Sequence, residues 1–326
     1  MTNRGAELRT LDAAIPATYY ERSMAYAYGQ TLVPMILLAS LLTVARSTTS
    51  FLSTVILVVL IGFVQYRLYF PLHDCSHMSL FAKRSQNVLW GQLLAGLLFT
   101  VYDSFRGEHM KHHKTYGTPD DPGAIDYWVR FQSRAEMIRF LIVPLWGGSL
   151  LAKLKDNYGF LVNPERDSAA AAGPRSTRKL ALLGIPLALQ AIVCVYVTRG
   201  LAQPWRYAVF VVVPAVTIFL FMSRLRMFLE HGSLDYERFD YLQNPRVTAR
   251  TIPSRFPERV VLCGMNFNYH YEHHLFPAVP SCQLKRVHEE VTRATIQRED
   301  FADTYLGAVV GLWRRLGSSP SRSAVA

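Results

Sequence analysis

Charged residues and cysteines are both scarce in this chain of 326 residues. Only 18% of the residues are charged, whereas 50% are hydrophobic. Disordered and fibrous chains are poor in large apolar side chains, so this composition excludes both classes. The cysteines, Cys75, Cys194, Cys263 and Cys282, share no short spacing. We therefore expect neither a disulfide framework nor an iron–sulfur cluster, and a working part that faces a reducing compartment.

Several familiar motifs are also missing. The sequence contains no G-x-G-x-x-G nucleotide fingerprint and no C-x-x-C-H haem-attachment motif. A redox reaction carried out by this chain would therefore need electrons from an external carrier. No zinc-finger or arginine-repeat pattern accompanies the net charge of +11, and a nucleic-acid partner is not expected. Residues 1–30 are polar to mixed, without the apolar stretch of a cleavable signal peptide.

The chain does contain long apolar runs separated by charged segments. Four of these runs are predicted to span a membrane: residues 31–45, 51–72, 180–198 and 205–222. Twenty-two helical residues extend about 33 Å, which is enough to cross the apolar core of a bilayer. Two further runs, 88–101 and 138–154, are short or interrupted, and we predict that they form interfacial or re-entrant helices.

The distribution of basic residues predicts the orientation. The two short loops between paired spans contain only Arg46 and Arg199 out of 35 Lys and Arg, which leaves 35 − 2 = 33 elsewhere. Because cytoplasmic segments are enriched in basic residues, both termini and the segment between the second and third spans are predicted to be cytoplasmic. The predicted fold is an all-α, multi-pass integral membrane protein with four transmembrane helices and a cytoplasmic helical cap. Its predicted parts are an N-terminal arm (1–30), a membrane domain (31–312) that includes a linker (163–179), and a flexible tail (313–326).

Histidines are concentrated in four places. Nine of the ten are clustered: His73 and His77; His109, His112 and His113; His231; and His270, His273 and His274. The pattern H-x-x-H-H occurs twice, although chance predicts about 0.01 occurrences. Helical residues spaced by three or four share a face, so each cluster is predicted to direct its imidazoles one way. Imidazole suits iron, copper, nickel and zinc, and nine ligands are too many for one ion, so the count predicts two metal ions.

The positions of the clusters relative to the apolar runs support the predicted topology. If residues 88–101 crossed the membrane, the first two clusters would lie on opposite sides. If residues 138–154 crossed instead, the last two clusters would be separated from the first two. Only the reading with four spans brings the nine histidines together, just beyond the cytoplasmic face.

Polar residues near the clusters are candidates to support the ligands. Each cluster has a carboxylate beside a histidine, and an amide lies one turn before the last cluster: these residues are Asp74, Glu108, Glu230, Glu272 and Asn266. Since adjacent helical residues point about 100° apart, such an acid is expected to contact an imidazole of another cluster, and direct ligation stays an alternative. Asn266 is a candidate to orient a metal-bound water.

Other polar and aromatic residues have simpler interpretations. We expect His288 to be a solvated helix residue, Asp120 and Asp121 to belong to a turn, and Cys75 to be a small packing group. Tyr127 and Trp128 are expected to be aromatic residues at the membrane interface.

The order and spacing of the clusters resemble the three histidine boxes of the membrane fatty acid desaturases. The boxes read HDCSH (73–77), HMKHH (109–113) and HYEHH (270–274), and the likeness covers residues 31 to 288. His231 resembles the additional histidine that many members place after the last span. The third box begins with His270, not Gln, and no His-Pro-Gly-Gly motif of a fused cytochrome domain occurs.

The resemblance implies a chemistry. The family holds two ferrous ions with these histidines on the cytoplasmic side and uses dioxygen as co-substrate to desaturate a fatty acyl chain that is lipid-, carrier- or CoA-linked. Electrons would come from a ferredoxin or a cytochrome b-type carrier with its reductase. Hydroxylases, acetylenases and carotenoid ketolases of the same superfamily are the alternative. Two other classes of protein could hold clustered histidines. A cytochrome b-type protein would need paired histidines inside the spans, but all nine clustered histidines lie outside the predicted spans. A metal-binding receptor or transporter would bind ions without redox turnover.

Overall fold

The computed structural model describes residues 15–118, 120–149, 175–232, 249–292 and 304–318. This described part is helical and has no β-strand; Thr251 and Tyr269 form an isolated antiparallel bridge. The helices are α1 (Met24–Ala45), α2 (Phe51–Ser76), α3 (Arg84–Leu97), α4 (Tyr102–Thr115), α5 (Arg134–Ile142), α6 (Arg175–Val197), α7 (Trp205–His231), α8 (Glu258–Val261), α9 (His270–Leu275), α10 (Leu284–Val287) and α11 (Tyr305–Ser318). Helix α7 includes two π-helical turns, Ala208–Val212 and Ala215–Phe219.

Three of the described helices are long and apolar enough to cross a membrane. They are α1 with the short turn before it (Ala17–Ala45), α2 and α7. The described apolar part of α6, Leu183–Val197, is shorter. Helices α3 and α4 meet the same criterion only as a pair and are bent by 100° between Leu97 and Tyr102, as in a broken span or a re-entrant loop. Length and composition therefore identify three candidate spans among the described residues.

The outer faces of these helices expose large apolar side chains. Ile36 on α1, Leu52 on α2 and Ile192 on α6 are each more than 60% exposed. Water-soluble monomers rarely expose continuous apolar surfaces of this kind. The exposed faces therefore suit contact with lipid hydrocarbon.

Some helix ends differ from the predicted boundaries. Helix α1 begins at Met24 instead of residue 31, because the Ser23 side chain accepts a hydrogen bond from the backbone N–H of Tyr26 and caps the helix. Helix α11 continues to Ser318, so residues 313–318 of the predicted tail are helical. Its buried side chains, Ala308 among them, hold it in an apolar cluster that also contains Phe228 of α7. Of the predicted linker, residues 163–174 lie outside the described part, and residues 175–179 belong to α6.

Helices α2 and α7 pack closely, which determines where the histidines meet. A Cβ atom at Gly62 would lie 2.5 Å from the Cβ of Ile218, so only glycine allows this approach. The buried Gln65 amide donates a hydrogen bond of 3.1 Å to the carbonyl oxygen of Val211, which ties α2 to the first π-helical turn of α7. Nearer their C-terminal ends the two helices are also neighbours, since the Arg226 guanidinium lies 5.1 Å from the Phe70 ring.

Two smaller apolar clusters build the part of the molecule that covers those ends. One cluster packs Met137 of α5 and Leu312 of α11 around Phe228, near the end of α7. The other packs Tyr19, from the turn before α1, against Leu284 and Val287 of α10. Both clusters fix short helices beside the histidine-bearing ones.

Candidate metal centre

The predicted histidines come from the ends of two long helices and from two shorter ones. His73 lies in the last turn of α2, and His77 follows that helix directly. Helix α4 carries three of the histidines, α7 ends at His231, and the six-residue helix α9 carries the last three. All nine meet in one buried region, where they form two adjoining groups.

Five imidazoles form the first group: His73, His77, His109, His113 and His273. One potential ligand atom from each lies within 4.8 Å of those of the others. The Nε2 atom of His109 is 2.7 Å from that of His77 and 3.1 Å from that of His113. The Nε2 atoms of His113 and His273 are 3.0 Å apart.

The second group contains His112, His231 and His274, whose ligand atoms also lie within 4.8 Å of one another. His270 joins this group, because its Nε2 atom is 2.6 Å from that of His231 and 3.2 Å from that of His274. The two groups adjoin where the rings of His113 and His274 stack, with centroids 4.3 Å apart.

Each H-x-x-H-H pattern contributes to both groups, and the prediction that each cluster points in one direction is wrong. On α4, His109 and His113 enter the first group and His112 enters the second. On α9 the assignment is reversed, with His273 in the first group and His270 and His274 in the second. Adjacent helical residues differ by about 100°, so the paired histidines that end each pattern reach different groups.

The arrangement fits metal ions better than a hydrogen-bonded network. Neither ring nitrogen of His73 has a hydrogen-bond partner, although the residue is only 1% exposed. Buried polar atoms are nearly always satisfied, so an unpartnered imidazole aimed at other imidazoles indicates a ligand. Nitrogen atoms that meet one ion at about 2.1 Å and at right angles lie about 3 Å apart. The two histidine groups therefore form a metal-capable site.

Burial keeps the imidazoles in the form that binds metals. It lowers the pKa of His77 to about 3, with the positive charge of Arg106 as the next cause. Burial, followed by neighbouring imidazoles, also lowers the pKa of His273 and His274 well below the ordinary value. Metal binding requires neutral imidazole, so these rings need not lose a proton at neutral pH.

Asp121 supports the second group, a role that sequence analysis missed. Both carboxylate oxygens of Asp121 lie 2.9 Å from Nδ1 of His112. A carboxylate only accepts, so Nδ1 donates and Nε2 is left for a metal. Tyr127 donates its hydroxyl hydrogen to Asp121, and the backbone N–H of Gly123 donates at 2.7 Å. Asp121 belongs to a turn, as predicted, and is buried. The expectation that Tyr127 lies at the membrane interface is wrong, because its side chain is fully buried and its ring lies 5.1 Å from the His231 ring.

Replacing Asp121 with Asn is expected to weaken metal binding about 10–100-fold, the usual effect of removing a partner that orients a ligand. The uncharged amide holds the His112 imidazole less firmly and presents an N–H that competes for the same space. Metal content after dialysis against graded chelator measures the change. Asp120→Asn, at the exposed neighbouring position, is the matched control and is expected to behave as wild type. Equal retention by the two variants would contradict the role of Asp121.

Glu230 lies beside the last box, but Nδ1 of His270 forms no hydrogen bond with it. Its Oε2 atom is 3.4 Å from Nδ1 of His270, so it approaches an imidazole of another cluster, as expected for this carboxylate. Arg226 donates to both of its oxygens at 2.8 and 2.9 Å, and the Tyr305 hydroxyl donates at 2.7 Å. Helix α11 thus contributes to the surroundings of the histidines through Tyr305.

The other four candidate supporting residues have different surroundings. Asp74 Oδ1 is 3.9 Å from Nδ1 of His73, beyond hydrogen-bond distance, and its other oxygen accepts from the Ser281 hydroxyl at 2.5 Å. Asn266 donates at 3.1 Å to the carbonyl oxygen of the same serine. Glu108 is half-buried on α4.

Glu272 is fully buried, and its partners include His288, which the sequence led us to expect in solvent. Nδ1 of His288 lies 2.7 Å from Glu272 Oε1, and the His288 side chain is only 14% exposed. Its exposed neighbours Lys285 and Glu289 give the segment the polar appearance on which the prediction relied. Cys75 is buried and serves as a packing group, as expected.

Comparison with known proteins agrees with this geometry. The family model for fatty acid desaturases matches residues 49–305, and this range includes all nine histidines. A fatty acid desaturase of Bacillus subtilis (strain 168) is 24% identical over 245 residues, which cover 74% of this chain and 68% of that protein. The chain therefore belongs to the fatty acid desaturase family.

Proposed function

We propose that this membrane oxidoreductase desaturates a fatty acyl chain with dioxygen, using two iron ions held by the nine clustered histidines. The observation that carries the proposal is the division of nine buried or half-buried imidazoles into adjoining groups of five and four. A single ion needs far fewer than nine protein ligands, so two groups of imidazoles indicate two ions. This division is a feature of the structure that the family match alone does not provide. The family and its histidine boxes favour iron over the other metals that imidazole binds.

The residues of this chain have distinct tasks in such a reaction. The imidazoles would hold the ions in a buried region, and Asp121 orients His112 from behind by a hydrogen bond, while the Glu230 carboxylate lies 3.4 Å behind Nδ1 of His270. Bound iron supplies the activation of dioxygen, by which a –CH2–CH2– unit, O2, two electrons and two protons give –CH=CH– and two waters. Burial excludes bulk water and so protects a reactive centre from side reactions.

The proposed topology has four spans, with both termini and the metal centre cytoplasmic. Helix α6, whose beginning at Arg175 makes it 23 residues long, is the proposed third span, and the bent α3–α4 pair is proposed to be re-entrant. The proposal is supported by the meeting of the C-terminal ends of α2 and α7 at the histidines, which requires these ends to lie on one side. The membrane domain is proposed to extend over residues 31–312.

The proposed partners follow from the chemistry. The substrate is an acyl chain attached to a lipid, a carrier protein or CoA. The electron donor is external, a ferredoxin or a cytochrome b-type carrier with its reductase, and the net charge of +11 favours an acidic carrier.

The test is the lipid profile of cells that express the chain, compared with cells that carry an empty vector. Desaturation is expected to produce acyl chains two mass units lighter than their precursors, and their formation should require dioxygen. Purified protein is expected to contain iron close to two atoms per chain. Products sixteen mass units heavier would instead identify a hydroxylase. Protein that binds metal but forms no product would identify a receptor or transporter.

A further inference from the structure

We propose that His288 is a positioning residue, which acts through Glu272 to fix the helix that presents the third histidine box. Glu272 lies within α9, between His270 and the pair His273 and His274. The inference rests on the proposed function only in taking these three histidines as metal ligands. It assigns a task to a residue outside every histidine box.

The carboxylate of Glu272 is fully buried, and both of its oxygens are engaged. Its Oε1 atom accepts from Nδ1 of His288 and from the Thr292 hydroxyl, both at 2.7 Å. Its Oε2 atom accepts from the hydroxyl of Thr251. The donors come from two separate segments, so the carboxylate joins α9 to Thr251, which precedes α8, and to the π-helical segment His288–Thr292, which follows α10.

Helix α9 needs such a connection because it is short. It has six residues, fewer than two turns, and no side chain caps its N-terminus at Tyr269. Helices of this length are not stable alone, and tertiary contacts must hold them. Glu272 is two residues from His270 and from His274, which places it about 200° around the helix from those imidazoles. The carboxylate therefore anchors the face of α9 that is turned away from the second group.

His288 is well placed to serve as the fixed end of this connection. A carboxylate only accepts, so Nδ1 of His288 carries the donated hydrogen. Leu284 and Val287, in the preceding turn, are fully buried in the apolar cluster that includes Tyr19, and they hold the backbone of α10 in place. The Tyr269 ring lies 5.0 Å from the His288 ring and packs beside the same contact. Hydrogen bonds to a buried carboxylate are strong and directional, so they transmit the position of α10 to α9.

The geometry of the donor gives a sharp test with three variants. The side-chain nitrogen of Asn occupies nearly the same place as Nδ1 of histidine, whereas that of Gln corresponds to Nε2. His288→Asn is therefore expected to retain the contact with Glu272, and His288→Gln and His288→Leu are expected to lose it. The measurement is a cobalt(II) titration of metal-free, detergent-purified full-length chain, followed by visible absorption. We expect affinity to fall about 10–100-fold for Leu and Gln and to stay near wild type for Asn.

A double-variant comparison separates positioning from a general loss of structure. If His288 acts through Glu272, adding His288→Leu to Glu272→Gln should lower cobalt(II) affinity no further than Glu272→Gln alone. The matched controls are Lys285→Leu and Glu289→Gln, which alter an exposed ion pair on the same helical segment and should titrate as wild type.

The outcomes distinguish this proposal from the proposed function. Wild-type protein that binds no cobalt(II) would overturn the metal site itself. Wild-type binding with equal affinity in the Leu variant would overturn only the role of His288. Should the Leu variant fail to fold, the comparison of Asn with Gln decides: equal losses would overturn the proposal, and rescue by Asn alone would support it.

Discussion

Replacing His112 with alanine is expected to abolish desaturation and to empty the second histidine group of its metal. The group has only four imidazoles, and His112 is the one whose tautomer Asp121 fixes. Loss of a ligand should exceed the roughly 10–100-fold effect of losing an outer partner, so we expect product to fall by more than about 100-fold. The alanine variant also leaves the buried Asp121 carboxylate without this donor, which further disfavours binding. Lipid analysis of expressing cells and iron per purified chain measure the result.

The matched control for this substitution is Lys111→Ala, at the neighbouring exposed position of α4. It changes the same helix with a similar loss of side chain and is expected to leave both iron content and products unchanged. The discriminating quantity is the iron count: one ion retained by the His112 variant would indicate that the first group binds independently. An unchanged lipid profile in the His112 variant would show that the catalytic assignment is wrong.

Replacing Arg226 with methionine is expected to lower the free energy of unfolding by about 3–5 kcal/mol, the usual cost of removing one partner from a buried ion pair. Arg226 is 3% exposed and is enclosed by aromatic rings, with Phe70 at 5.1 Å and Phe267 at 5.7 Å. Its loss would leave the fully buried Glu230 carboxylate with one fewer donor, directly beside His270. Denaturant unfolding of the metal-free chain in detergent, followed by circular dichroism, measures the change.

A second variant and a control make this prediction specific. Replacing both Arg226 and Glu230 with apolar residues should recover much of the lost stability, because no unpaired charge then stays buried. Lys285→Met removes one partner of a pair whose side chains are more than half exposed, and a change below about 1 kcal/mol is expected. If Arg226→Met lowered the free energy of unfolding as little as this control does, the prediction would be contradicted, and the Arg226–Glu230 pair would have to be hydrated.

Periodicity and spacing were sufficient to predict the helical class and the histidines. Continuous apolar runs identify spans without knowledge of their neighbours, because the bilayer sets their minimum length. The bend of 100° between α3 and α4 fits a broken span as well as a re-entrant loop, so the re-entrant interpretation of residues 88–101 stays a prediction. Helix ends were less predictable, since the start of α1 depends on the Ser23 cap and the extent of α11 depends on packing against α7.

Supporting residues were the hardest to predict. Asp121 and His288 carry no local signal, because a turn and a polar helix describe them equally well in sequence. Their roles depend on atoms far away in the chain: His288 binds Glu272, 16 residues before it, and Tyr305 binds Glu230, 75 residues before it. Distances between such residues are fixed only when the helices pack.

The amino-acid sequence by itself determined that this is a helical membrane protein with nine clustered histidines, because hydrophobic run length and residue spacing are local properties. The tertiary structure alone decided how those histidines divide into groups of five and four, with His113 and His112 of one helix turned to different groups. The physical reason is that a 100° step between neighbouring helical residues gives each side chain a direction, and only the packing of α2, α4, α7 and α9 says what lies in that direction.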